Sequence, residues 1–139
     1  MKSLYIILTL ALAAGVAVGA ETKTLRDAQG RIVGTVTTDG SRTTYRDAQG
    51  RITATASNHG GSTTTYRDAQ GRIIGTQTTR GCGSSFRDAQ GRTVATSYSS
   101  GHNTTYRDAS GRIVGTATQS GGGTTSYRDA QGRIRGTKR

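Results

Sequence analysis

The chain has 139 residues and a formal net charge of +11, from 19 basic against 8 acidic side chains, with 21 glycines, one cysteine and no proline or tryptophan. Only 31% of it is hydrophobic. So few large side chains exclude a conventional two-layer globule, because their burial does not offset the entropy of ordering the chain. The single cysteine excludes an intramolecular disulfide, leaving Cys82 as a free thiol in Gly81-Cys82-Gly83 or as half of an intermolecular bridge.

Taken in chain order, residues 1–20 read as a signal peptide. Lys2 supplies a positive start, Leu4 to Leu12 an apolar run, and Val18-Gly19-Ala20 the small residues of a cleavage site before the polar Glu21-Thr22-Lys23. The run is slightly short for a spanning helix, and no cysteine follows it to take a lipid. The expectation is an exported, periplasmic or secreted protein with a mature domain at 21–139 and no transmembrane segment after cleavage. That domain carries +10 and contains all 16 arginines but only 12 Leu, Ile, Val and Phe residues, a proportion at which disorder must be weighed.

The mature part is one unit written six times. Arg-Asp-Ala-Gln-Gly begins at Arg26, Arg46, Arg67, Arg87 and Arg128, and a variant with Ser110 begins at Arg107, at intervals of 20 or 21 residues. An aromatic or Leu precedes it (Leu25, Tyr45, Tyr66, Phe86, Tyr106, Tyr127) and a second Arg follows it (Arg31, Arg51, Arg72, Arg92, Arg112, Arg133). Ile comes next in five copies, then, two residues on, Gly or Ala, then always Thr.

Each unit has two Thr-, Ser-, Val- and Tyr-rich segments that suit a pleated surface, separated by Asp-Ala-Gln-Gly, whose Gly supplies the positive φ of a tight hairpin. A looser Gly-containing turn closes each unit, and the absence of proline leaves the ladders uninterrupted. The predicted fold is therefore all-β: six tandem hairpin repeats in an extended or rolled antiparallel sheet, with a β-solenoid as the alternative.

Two hairpin registers are open. A three-residue loop of Ala48, Gln49 and Gly50 sets Asp47 against Arg51 and Tyr45 against Thr53, which explains why Asp and Arg recur four apart. A two-residue loop sets Tyr45 against Ala54, which explains why that residue stays small. Gln-Gly is a weak two-residue turn, so the first is favoured. Either register puts Ile and Gly/Ala on one face and Thr on the other, and neighbouring units are expected to bury Ile with Tyr. The basic last unit, Arg133 to Arg139, reads as an end cap.

The residues that repeat as structure are Tyr45, Asp47, Gly50, Tyr66, Asp68, Gly71, Phe86, Asp88, Gly91, Tyr106, Asp108, Gly111, Tyr127, Asp129 and Gly132. The unit resembles the YD repeats of the Rhs family, which carry Tyr-Asp-x-x-Gly-Arg at a similar period; Tyr45, Asp47, Gly50 and Arg51 match, as do Tyr106, Asp108, Gly111 and Arg112. Arg46 and Arg107 separate a Tyr and an Asp that are adjacent in the family. The resemblance implies hairpin sheets that spiral into a shell around a toxin domain, or surface proteins linked with carbohydrate contact. Six units are expected to be too few to enclose anything, and no toxin domain is expected after Arg139.

Neither catalytic nor metal-binding residues stand out, and no cofactor is implied. His59 and His102 fall in non-repeated turns, and each Asp is flanked by arginines that repel a cation. The candidate anion-binding residues are Arg31, Arg51, Arg72, Arg92, Arg112 and Arg133, which regular stacking would lay out in rows for carboxylate, sulfate or phosphate. The expected function is non-enzymatic: a structural or interaction module contacting anionic envelope polysaccharide, lipopolysaccharide or a protein partner, with nucleic acid as a non-specific partner. A self-associating, amyloid-like fibre subunit and a disordered cationic polypeptide are the alternatives.

Overall fold

The computed structural model describes residues 19–139, so the predicted signal peptide lies outside the described residues except for its last two positions. Twelve strands follow in chain order: β1 Glu21–Asp27, β2 Ile32–Asp39, β3 Arg42–Asp47, β4 Ile52–Asn58, β5 Thr63–Asp68, β6 Ile73–Arg80, β7 Gly83–Asp88, β8 Thr93–Ser100, β9 Asn103–Asp108, β10 Ile113–Gln119, β11 Thr125–Asp129 and β12 Ile134–Lys138. Each is antiparallel to the next, and β12 returns to pair with β1, closing the sheet into a barrel. The all-β, antiparallel expectation holds. The open extended sheet and the solenoid do not form, and six units do enclose an interior.

The reason lies in how units meet. The second strand of each unit pairs with the first strand of the next, placing Gly34 opposite Asp47, Ala54 opposite Asp68 and Gly75 opposite Asp88. Ala95 faces Asp108 and Gly115 faces Asp129 in the same way. At the seam Gly136 faces Asp27, so last and first units meet in the register of any two neighbours, over a shorter ladder of three pairs. A head-to-tail contact repeated with constant rotation ends in a ring when the rotation closes. The basic last strand is thus not an end cap. It completes the ring, with the Thr24 and Arg139 backbones exchanging N–H to O bonds of 2.7 and 3.1 Å.

The tight turn combines both registers. Asp47 receives the Gly50 N–H at 3.0 Å and donates its own N–H to the Arg51 carbonyl at 2.9 Å, with Gly50 at φ +82°, the pattern of a three-residue loop. Arg46 lies opposite Ile52 as that loop requires, but Tyr45 then lies opposite Ala54, not Thr53. A β-bulge absorbs the extra residue, and the slip recurs in every hairpin.

This bulge overturns the expected faces. Arg46 points outward, and so does its partner Ile52, while Ala54 points in. Ile32, Ile52, Ile73, Ile113 and Ile134 are 43–52% exposed, whereas Tyr45, Tyr66, Phe86 and Tyr106 are at most 5% exposed. The aromatics, not the isoleucines, make the core.

Inside the barrel, Leu25, Tyr45, Tyr66, Phe86, Tyr106 and Tyr127 face Gly34, Ala54, Gly75, Ala95, Gly115 and Gly136 respectively. An eight-stranded barrel is about as wide as ordinary side chains can fill. Twelve strands need rings, and five aromatics crowd one layer beside the tight turns. Small partners are required there: a Cβ at Gly34 would run into the Arg46 carbonyl oxygen, and one at Gly115 would lie 2.6 Å from that of Arg128. Val36, Ala54 and Ala56 pack with Tyr45 and Tyr66, and Leu25 and Ile74 lean on that cluster.

Candidate functional site

Each Asp-Ala-Gln-Gly-Arg turn is organised by its carboxylate. Oδ1 of Asp27, Asp47, Asp68, Asp88, Asp108 and Asp129 accepts the N–H two residues on and the Arg N–H four residues on, all at 2.9–3.0 Å. Such an Asx turn uses one oxygen and leaves the other for a charge. In four copies Oδ2 pairs with Nε of the second Arg: Arg31 and Arg72 at 2.7 Å, Arg92 at 2.8 Å and Arg133 at 3.0 Å. The variant copy adds a hydroxyl bond from Ser110 to Asp108 at 2.8 Å, so Ser serves where Gln is usual.

These bonds set the protonation of the turns. Partial desolvation alone would raise the carboxyls of Asp27, Asp68, Asp88 and Asp129, but the backbone and side-chain hydrogen bonds from the second Arg, with its charge, outweigh it. All four sit below the ordinary carboxylate range. Asp108 is lowered chiefly by the Ser110 hydroxyl and the Arg112 N–H.

The two arginines of each unit divide the work. Nη1 of Arg26, Arg46, Arg67, Arg87, Arg107 and Arg128 donates to the carbonyl of the turn glycine at 2.8–2.9 Å, clamping the loop. Four of the second arginines, Arg31, Arg72, Arg92 and Arg133, engage Asp through Nε and keep 70–77% of their side chains exposed.

All six predicted anion-binding arginines therefore come to one rim. Closure bends the expected rows into a ring, and with Arg135, which also pairs with Asp129 at 3.2 Å, that rim holds thirteen arginines against six aspartates. The predicted structural residues are where the repeat required them, as ring layer, turn carboxylate and turn glycine.

The opposite rim carries the unlike turns. Gly40-Ser41, Gly81-Cys82 and Gly101-His102 are two-residue loops whose first glycines have φ of +54 to +58°. Cys82 is an exposed free thiol there. Among the described residues no three His, Cys, Asp or Glu side chains gather to hold a metal, and no helix is long and apolar enough to cross a membrane.

Below this rim lies a cavity of about 320 Å³ that sequence reading missed, bounded by Phe86 and Tyr106, by Gln77, Ser97 and Gln119, and by Lys23 and Lys138. Its signal was present in the repeat. The inward position two past the small residue reads Val36, Ala56, Gln77, Ser97, Ala117, Lys138, apolar in the first two units and mostly polar after them.

Comparison with protein-family models finds no match, and comparison with curated proteins finds none. Among solved structures, one titled "Crystal structure of GtfA/B complex bound to UDP and GlcNAc" is similar at 16% identity and a TM-score of 0.25, over 88% of this chain and 24% of that chain. The chain thus spans about a quarter of that protein's length, and a likeness at this level carries no argument about fold or activity.

Proposed function

We propose that the protein is an exported, non-enzymatic binding module whose arginine-rimmed end contacts anionic envelope or surface glycans. The observation that carries this reading is the gathering of thirteen arginines at one rim, with the exposed side chains of Arg31, Arg72, Arg92 and Arg133 held at fixed spacing by Asp ion pairs. A fixed guanidinium presents a planar fork to carboxylate or sulfate and loses little freedom on binding. An excess of one sign at one end also focuses potential toward a polyanion. The likeness of the unit to YD repeats supports surface contact, and β1 beginning at Glu21 agrees with cleavage after Ala20. Tyr98 is the one aromatic well exposed among the described residues, so nucleic acid would be held by its phosphates without base stacking. Among the described residues closure pairs every strand on both sides, apart from the start of β1 at the seam, which weighs against the fibre reading.

Heparin retention tests the proposal. The protein is expected to elute at higher salt than an unfolded peptide of equal charge, and R31Q/R72Q to elute earlier than the charge-matched R42Q/R80Q, which alters the other rim. Elution together with the unfolded peptide would remove the reading.

A further inference from the structure

The outer wall carries an apolar collar that the fold does not require. Ile32, Ile52, Ile73, Ile113 and Ile134 open five of the second strands, 43–52% exposed, each opposite the first arginine of its own unit. One exposed Ile on a surface is ordinary. Five at one height around a barrel are a pattern.

The fourth unit shows what the position needs. Thr93 stands there, and the hairpin keeps its bulge, its Arg92–Asp88 ion pair at 2.8 Å and its Arg87 bond to the Gly91 carbonyl at 2.8 Å. Thr is β-branched like Ile and suits an exposed strand position as well. The turn forms without Ile, so the other five units add apolar surface that folding does not call on. It is heaviest across the ring from Thr93, in the first unit, where Val33 beside Ile32 is also 48% exposed.

The collar is one tier deep. Further along the strands Thr35, Thr55 and Thr76 alternate outward from the inward Gly34, Ala54 and Gly75. A barrel that spans a bilayer needs an apolar band about 25 Å tall, so a single tier fits a barrel resting on lipid. Thirteen arginines against six aspartates stand at the same end. A second copy placed rim to rim would set like charges together. A rigid protein partner binds through contiguous, well-packed pockets, whereas these isoleucines are two strands apart, about 10 Å, with arginines between them. Lipid needs only apolar groups at headgroup depth flanked by cations, and long arginine stems let guanidinium groups reach phosphates while neighbouring isoleucines go deeper.

We infer that the tight-turn end seats on an anionic lipid surface, tilted so that Ile134, Ile32, Val33 and Ile52 enter it while the surrounding arginines hold phosphates. The seat shares the arginine rim with the glycan contact and rests on that reading, while the isoleucines stand apart from it.

Vesicle flotation tests this, using phosphatidylglycerol and phosphatidylcholine in equal parts against phosphatidylcholine alone. The chain from Glu21 on is used, because it holds all twelve strands of the closed barrel, and the apolar run Leu4–Leu12 would enter lipid by itself. Binding to the anionic vesicles only is expected. I32S/I52S should weaken it about tenfold and T93I strengthen it about threefold, both with heparin retention unchanged. An environment-sensitive dye on I32C/C82S should shift to the blue on anionic vesicles, whereas the same dye on the native Cys82, at the opposite rim, should not. Circular dichroism verifies folding; if I32S/I52S fails to fold, T93I and the dye decide. No anionic binding, equal binding to uncharged vesicles, or no effect of the collar variants would overturn the seat and leave the glycan reading standing if heparin retention holds. A dye shift at I32C that grows with protein concentration in the absence of lipid would assign the collar to a second copy and overturn it too. Vesicle binding without heparin retention would remove the glycan reading alone.

Discussion

The two ends of the barrel are built from the same six units and could hardly differ more. At the tight-turn end every copy repeats one set of bonds, Asp to its own turn, Arg to the turn glycine, an aromatic or Leu against Gly or Ala. At the other end three turns share a two-residue backbone but no two share a sequence, and the inward residues range from Val36 to Lys138. The first end is what closes a ring from a repeat, since any unit must fit any neighbour. The second is free of that demand, so side chains there can differ and form an individual site.

The largest effect that would sharpen this contrast is truncation in the aromatic layer. Tyr66→Ala or Phe86→Ala removes a ring that is at most 1% exposed and should cost about 3–5 kcal/mol. Thermal melts followed by circular dichroism measure it. Values under about 1 kcal/mol would mean the layer is loose and the ends are not mechanically distinct.

The floor under those rings comes next. Gly34→Val drives two methyl groups toward the Arg46 carbonyl and should cost about 1–3 kcal/mol through overpacking. Gly34→Ala already sets a Cβ against that backbone oxygen and should itself be destabilising, although Ala54 and Ala95 occupy the equivalent place in other units. A Gly34→Ala variant that melts with the parent protein would show that the strands yield freely at this end.

Much of this end was legible in the sequence. Asp and Arg four apart announced their pairing, and the invariant small residue announced the ring above it. Each was assigned to a different loop, because a regular ladder cannot satisfy both. The bulge reconciles them, yet Thr53 and its counterparts carry no composition that marks an extra residue. Missing the bulge placed Ile52 indoors. Closure was hidden for another reason: identity of the units implies that last fits first, but the rotation per unit depends on twist and strand tilt, which no residue spells out. The cavity was hidden because repetition drew the reading to what recurs, while Gln77, Ser97 and Lys138 matter by departing from it.

Acid should release the tight-turn end before the rest. The carboxyls of Asp27, Asp68, Asp88, Asp108 and Asp129 lie below their unfolded values, so their contribution is complete above about pH 4 and is lost as pH falls through the folded values. Protonation also strips the countercharge from thirteen arginines. The melting temperature should be level from about pH 7 to 5 and fall below about pH 4, more steeply at low salt. A melting temperature unchanged down to pH 2 would show that the turn carboxylates do not hold the rim.

The smallest expected effect lies at the open end. Ser97 faces the cavity from β8 on a half-buried site, with water able to replace whatever its hydroxyl touches. Ser97→Ala should therefore change stability by less than about 0.5 kcal/mol. Tyr66→Phe, which deletes the 2.6 Å bond to Gln77 from the closed layer, should cost about 1 kcal/mol. Denaturant melts of the two variants side by side resolve that difference. If Ser97→Ala proved as costly as Tyr66→Phe, the variable wall would be part of the structural core, and its departures from the repeat would need a packing explanation rather than a functional one.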